Sequence, residues 1–180
     1  MKRLCSVLAL ACALSLGFAQ YASAEGWGAL AVNLGVVNNG FDEGDEYSNT
    51  AIAFGFTWHA YASENWGVET AFLYSTRAGG WDSYYMEEIS DMHMTLDITV
   101  MYRHSFFCIP GIFTTFGAGL SNFVDTYYAW GLGPNVKAGM EWWFTQSLFL
   151  SADIGYRMLF GLEGDINSGL VLRAGLGFKV

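Results

Sequence analysis

Met92-His93-Met94-Thr95-Leu96-Asp97-Ile98-Thr99-Val100-Met101-Tyr102-Arg103 places an apolar residue at every even position. The odd positions carry His93, Thr95, Asp97, Thr99 and Arg103, with Met101 the exception. Successive side chains of a strand point to opposite faces, whereas a helix repeats every ~3.6 residues. The segment reads as a strand with one apolar face and one charged face.

Working outward, the same alternation marks 27–37, 50–59, 66–75, 112–123, 130–143, 148–157 and 169–180, which makes eight strands with 92–103. In each, the even face is apolar, as in Val32 and Leu34, Phe54 and Phe56, Phe116 and Leu120, Leu150 and Ile154, Leu172 and Leu176. No even position in these spans is charged. The odd face carries the acids Glu69, Asp97, Glu141 and Asp153 and the bases Arg103, Lys137, Arg157, Arg173 and Lys179. It also carries small residues such as Ala29, Ala53, Gly117, Gly139 and Gly177, together with Phe113, Phe123, Trp143 and Phe149.

That partition is the inverse of a water-soluble barrel. Eight strands enclose a space just wide enough for side chains to fill. Leu, Phe and Trp from every strand would overfill it, so the bulky face points outward, where only lipid solvates it. The expected fold is all-β: an eight-stranded antiparallel up-and-down transmembrane β-barrel. No stretch after the first 24 residues reaches ~18 consecutive apolar residues, so no transmembrane helix competes with this reading. Pro134 lies within a strand of a closed sheet, and a β-bulge near the outer rim is expected there.

The chain's first residues indicate export. Met1-Lys2-Arg3 is a basic start, Leu4 to Phe18 is largely apolar, and Ala22-Ser23-Ala24 is a small-x-small cleavage site. Residues 1–24 read as a cleaved secretory signal peptide and 25–180 as the barrel domain. An uncleaved anchor and a lipoprotein acylated at Cys12 are the alternatives; a short apolar run and Ala9 at the position that favours leucine argue against the lipoprotein. Removing Lys2 and Arg3 takes the formal charge from −9 to −11, which disfavours nucleic acid as a partner. Cys108 is then the sole thiol, so no internal disulfide forms.

With the N-terminus on the periplasmic side, connections 38–49, 76–91 and 158–168 are long outer loops and 124–129 a shorter one. The inner turns 60–65 and 144–147 are short, as in bacterial barrels, while His104 to Gly111 is longer and more apolar. Trp58, Trp66, Tyr102, Trp142 and Phe178 fall toward the inner rim, and Tyr74, Trp130 and Tyr156 toward the outer, as aromatic girdles.

Phe116-Gly-Ala-Gly-Leu120 with Ser121, Lys137-Ala-Gly-Met-Glu141 before a turn, and Arg173-Ala-Gly-Leu-Gly-Phe178 resemble the small outer-membrane β-barrel superfamily, which includes the OmpA membrane domain, OmpX and OmpW-like proteins. The resemblance spans 25–180. It implies residence in the bacterial outer membrane, with its lipid and the barrel-assembly machinery as partners. That family usually ends on an aromatic residue, whereas here the last residues are Phe178-Lys179-Val180.

Four inward acids (Glu69, Asp97, Glu141, Asp153) match four inward bases (Arg103, Lys137, Arg157, Arg173), so a self-neutralising ion-pair network is expected to plug the lumen. An ion path is the alternative. His59 and His104 lie near the inner rim and His93 near the outer, and neither a metal site nor any cofactor is expected. His93 with Ser90 or Ser75 is the sole candidate for hydrolytic chemistry, and the reading is non-enzymatic. Asp42, Glu43, Asp45 and Glu46 head an acidic outer cap whose spacing is not that of an EF-hand. The function expected is envelope structure and surface contact through these loops, with an unknown surface ligand. A narrow channel or OmpW-like passage of small molecules, hydrophobic ones included, is the alternative.

Overall fold

The computed structural model describes residues 26–40, 50–77, 81–82, 87–88, 92–106, 109–125, 130–161 and 166–180. The signal-peptide segment and the acidic cluster Asp42, Glu43, Asp45 and Glu46 lie outside the described residues. Ten strands follow in order: β1 (Trp27–Gly40), β2 (Thr50–Tyr61), β3 (Trp66–Arg77), β4 (Trp81–Asp82), β5 (Glu87–Glu88), β6 (Met92–Ser105), β7 (Ile112–Asp125), β8 (Trp130–Trp143), β9 (Leu148–Gly161) and β10 (Ile166–Lys179). Eight of them close into an antiparallel barrel in the order β1-β10-β9-β8-β7-β6-β3-β2. β4 and β5 pair only with each other, within the span expected to be wholly loop.

Odd-numbered residues point inward throughout. Ala29, Ala53, Ala71, Leu73 and Phe149 are buried, while Val32, Leu34, Ile52, Val100, Leu120 and Leu176 are more than half exposed. Many small residues thus line the lumen beside a few large ones, and large apolar residues cover the outside. At Gly177 an added Cβ would strike the Phe149 ring, so the missing side chain makes room for that aromatic.

The registers fix the stagger. Ala29 pairs with His59, His59 with Glu69, Glu69 with Thr99, Thr99 with Gly119, Gly119 with Asn135, Asn135 with Arg157, Arg157 with Gly169, and Gly169 with Asn39. One circuit therefore returns to β1 ten residues further along, from 29 to 39. With strands ~4.8 Å apart and a rise of ~3.3 Å per residue, that shear tilts the strands by about 40°. A 14-residue strand such as β9 then spans about 35 Å along the barrel axis, enough for an apolar band of about 25 Å.

The bulge expected at Pro134 is absent. On β8 and β9, Leu132 pairs with Phe160 and Asn135 with Arg157, the same spacing on both strands, so no residue is inserted. Gly133 and Pro134 drop out of the β8–β9 ladder, whereas their pairing with β7 is intact. The N–H that proline lacks is the one that would face β9. The ladder loses a bond, and the register continues.

Candidate functional site

The inward charges meet in the lumen. Glu69 on β3 is the hub. Lys137 Nζ on β8 donates to its Oε2, and Arg173 Nη2 on β10 donates to its Oε1 at 3.0 Å. Neither β8 nor β10 neighbours β3, so both contacts cross the lumen. Arg173 Nε also donates to Asp153 Oδ1 at 2.8 Å, the residue directly opposite it on β9. Lys137 stands between Gly117 and Gly155 on its two flanking strands, which leaves its chain room to extend inward.

A second group sits nearer the inner end around Glu141. Tyr61 Oη donates to Glu141 Oε1 at 2.6 Å, Trp143 Nε1 donates to Oε2 at 2.9 Å, and Arg103 Nε lies 3.1 Å from Oε2. His59 bridges the two groups, with Nε2 3.7 Å from Glu69 and Nδ1 3.6 Å from Glu141. Toward the outer end, Asp97, Arg157 and Arg173 line one small cavity. A neutral tier links Thr99, Asn135 and Ser121 by hydrogen bonds of 3.1 and 2.9 Å.

Two cavities between the described lumen residues are small. One lumen cavity, lined by Asp97, Lys137, Asp153, Arg157 and Arg173, holds about 20 Å³. Another, lined by His59, Glu69, Lys137 and Glu141, holds about 10 Å³. Each is the size of a single water, for which about 10–15 Å³ suffices.

The aromatic floor completes the inner end. Trp27 stacks on Tyr61 with ring centroids 4.2 Å apart, meets Trp143 edge-on at 5.3 Å, and Trp143 stacks on Phe149 at 4.5 Å. His59 and Tyr61 were not assigned to the network from sequence. The odd-face alternation runs on through both, and that was the signal available.

Trp58, Trp66, Tyr74, Tyr102, Trp142, Tyr156 and Phe178 all lie on the outward face. Trp130 opens β8 and pairs with Val124, and its side chain lies outside the described residues. His93 stands opposite Ser75, Asp125 continues that row by register, and the His93 ring stacks on Phe123 at 5.1 Å. Ser75 and His93 are 2% and 5% exposed. Ser90 lies outside the described residues. Among the described residues, no group of His, Cys, Asp and Glu is arranged to hold a metal.

Comparison with solved structures decides the fold class. Neisserial surface protein A matches with a TM-score of 0.63 at 11% identity, over 86% of this chain and 97% of that one. The chain has the fold of the small eight-stranded outer-membrane barrels. Ail, the attachment invasion locus protein of Yersinia pestis, shares this fold at a TM-score of 0.53 and 14% identity, over 86% of this chain and 97% of its own. OprG from Pseudomonas aeruginosa does so at 0.52 and 10%, over 86% and 94%. No protein-family model and no curated protein sequence matches the chain.

Proposed function

We propose that this is a non-enzymatic integral protein of the bacterial outer membrane, with a plugged lumen, serving envelope structure and surface contact through acidic outer loops. The observation that carries the reading is the filled lumen. Glu69 is held from opposite walls by Lys137 and Arg173, and the cavities beside it have room for about one water each. A barrel filled in this way presents its loops and its lipid face to the surroundings and withholds its interior.

The outward residues support lipid as the surrounding phase, since Val32, Leu34 and Ile52 are 64–70% exposed. The barrel-assembly machinery is the insertion partner that this fold requires. The attachment for which the Yersinia pestis neighbour is named is consistent with surface contact, which here falls to loops rich in Asp and Glu. Burial of Ser75 and His93 favours a non-enzymatic role.

Planar-bilayer conductance of the refolded barrel tests the reading, with heat-modifiable gel mobility as proof of folding. The expected result is folded protein without discrete current steps. Reproducible steps from the wild-type barrel, enlarged in Lys137→Met, would instead make the charged lumen an ion path.

A further inference from the structure

The aromatic floor of the lumen is also the roof of an open vestibule at the barrel end that carries Trp27 and Lys179. This hollow has a volume of about 660 Å³ and is lined by Trp27, Glu64, Arg103, Phe113 and Trp143, with Lys179 at its lip. It lies within the ~300–1,000 Å³ range of small-molecule sites, which are mostly apolar with a few placed polar groups.

The two cations in it differ. Arg103 is spoken for: its guanidinium carbon lies 3.5 Å from the Phe113 ring centroid, and Nε pairs with Glu141. Lys179 has its ammonium 5.2 Å over the Trp27 ring and no carboxylate partner among the described residues. Its position is fixed by the backbone, because Lys179 N–H donates to Ser147 O at 2.7 Å and Val180 N–H to Gly28 O at 2.9 Å. The side chain is exposed, and its inward parity turns it to the vestibule and away from the lipid. Glu64, on the turn between β2 and β3, is exposed to solvent and lines the same hollow.

We propose that this vestibule binds a small carboxylate with a flat apolar body, the ring resting against Phe113 and Trp143 and the carboxylate pairing with Lys179. Arg103 is paired with Glu141, so Lys179 is the lining cation left to meet an anion, with Glu64 on the turn as the other exposed charge of the hollow. The ring complement follows from the aromatic walls, which offer face and edge contacts to a planar group.

The test is an NMR titration of the refolded barrel in lipid nanodiscs, following the indole N–H signal of Trp27, identified by its loss in Trp27→Phe. Phenylacetate is the probe and phenylacetamide its neutral isostere. The expected result is a saturable Trp27 shift with phenylacetate, weaker by about three- to tenfold for the amide and for phenylacetate on Lys179→Met, the range of a partly exposed charge pair. Lys179→Arg keeps the charge and is expected to retain binding. Equal affinity for acid and amide, an unchanged titration in Lys179→Met, or no saturable shift at Trp27 would each overturn the proposal. Lys179 is exposed at the rim and outside the lumen ion pairs, so its removal tests the site without unfolding the barrel.

Discussion

At Glu69 a carboxylate 1% exposed to solvent meets cations from opposite walls of the barrel, and its replacement tests how much the filled lumen stabilises the fold. Glu69→Gln leaves Lys137 and Arg173 buried, with Asp153 still paired to Arg173. Removing one member of a buried pair typically costs about 3–5 kcal/mol, because an uncompensated charge is left behind. Urea unfolding of the barrel in detergent or vesicles is expected to show a loss of that size, with Lys137→Met in the same background restoring part of it. A loss below about 1 kcal/mol, the value of an exposed pair, would mean that water reaches the site. Which side chains face inward was legible from parity alone. Which of them meet was not. Counting from strand ends placed His59 at the rim. A tilt of about 40° shifts depth from one strand to the next, and long side chains cross the remaining gap. Contact across the lumen depends on all eight registers at once, and a single sequence does not display them.

The strands themselves were legible because a lipid-facing surface tolerates no charge at alternate positions. Several of their outer ends were not, although β2, β6 and β8 begin at 50, 92 and 130 as expected. β1, β3, β7 and β9 run two to four residues past the expected ends at 37, 75, 123 and 157. Apolar patterning tracks the hydrocarbon, while backbone pairing continues beyond it. Pro134 is the other departure, and it is testable at this scale. A Cβ added at Gly133 would strike the Met158 carbonyl, so β8 and β9 stay close where the ladder breaks. Pro134→Val supplies an N–H toward β9 without changing the register. The new bond is expected to add about 0.5–1.5 kcal/mol to unfolding stability, with the new amide protected from hydrogen exchange. An unprotected amide at 134 would show that the strands part there in the membrane.

For the molecule as a whole, the fold and the proposed membrane residence rest on one inversion: the outside is more apolar than the inside. Depth within the bilayer should therefore govern the cost of placing a charge on the outer surface. Ile154 lies midway along β9 and is 47% exposed, and Leu148 opens the same strand at the inner rim and is 39% exposed. Six residues separate them, about 20 Å along the strand and about 15 Å along the barrel axis at this tilt. Both side chains face outward, so a substitution at either leaves the lumen network untouched. Arginine costs about 2–4 kcal/mol at the bilayer midplane and about 0–1 near the interface. Ile154→Arg is thus expected to lose about 2–4 kcal/mol in equilibrium unfolding from lipid vesicles, and Leu148→Arg at most about 1. Equal losses at the two sites would mean that depth is not what the outer face senses, and that a covering protein surface, rather than lipid, surrounds these strands. A gradient of the expected size would identify hydrocarbon as the solvent of the apolar face, by the same physics that keeps every even position in the eight strands uncharged.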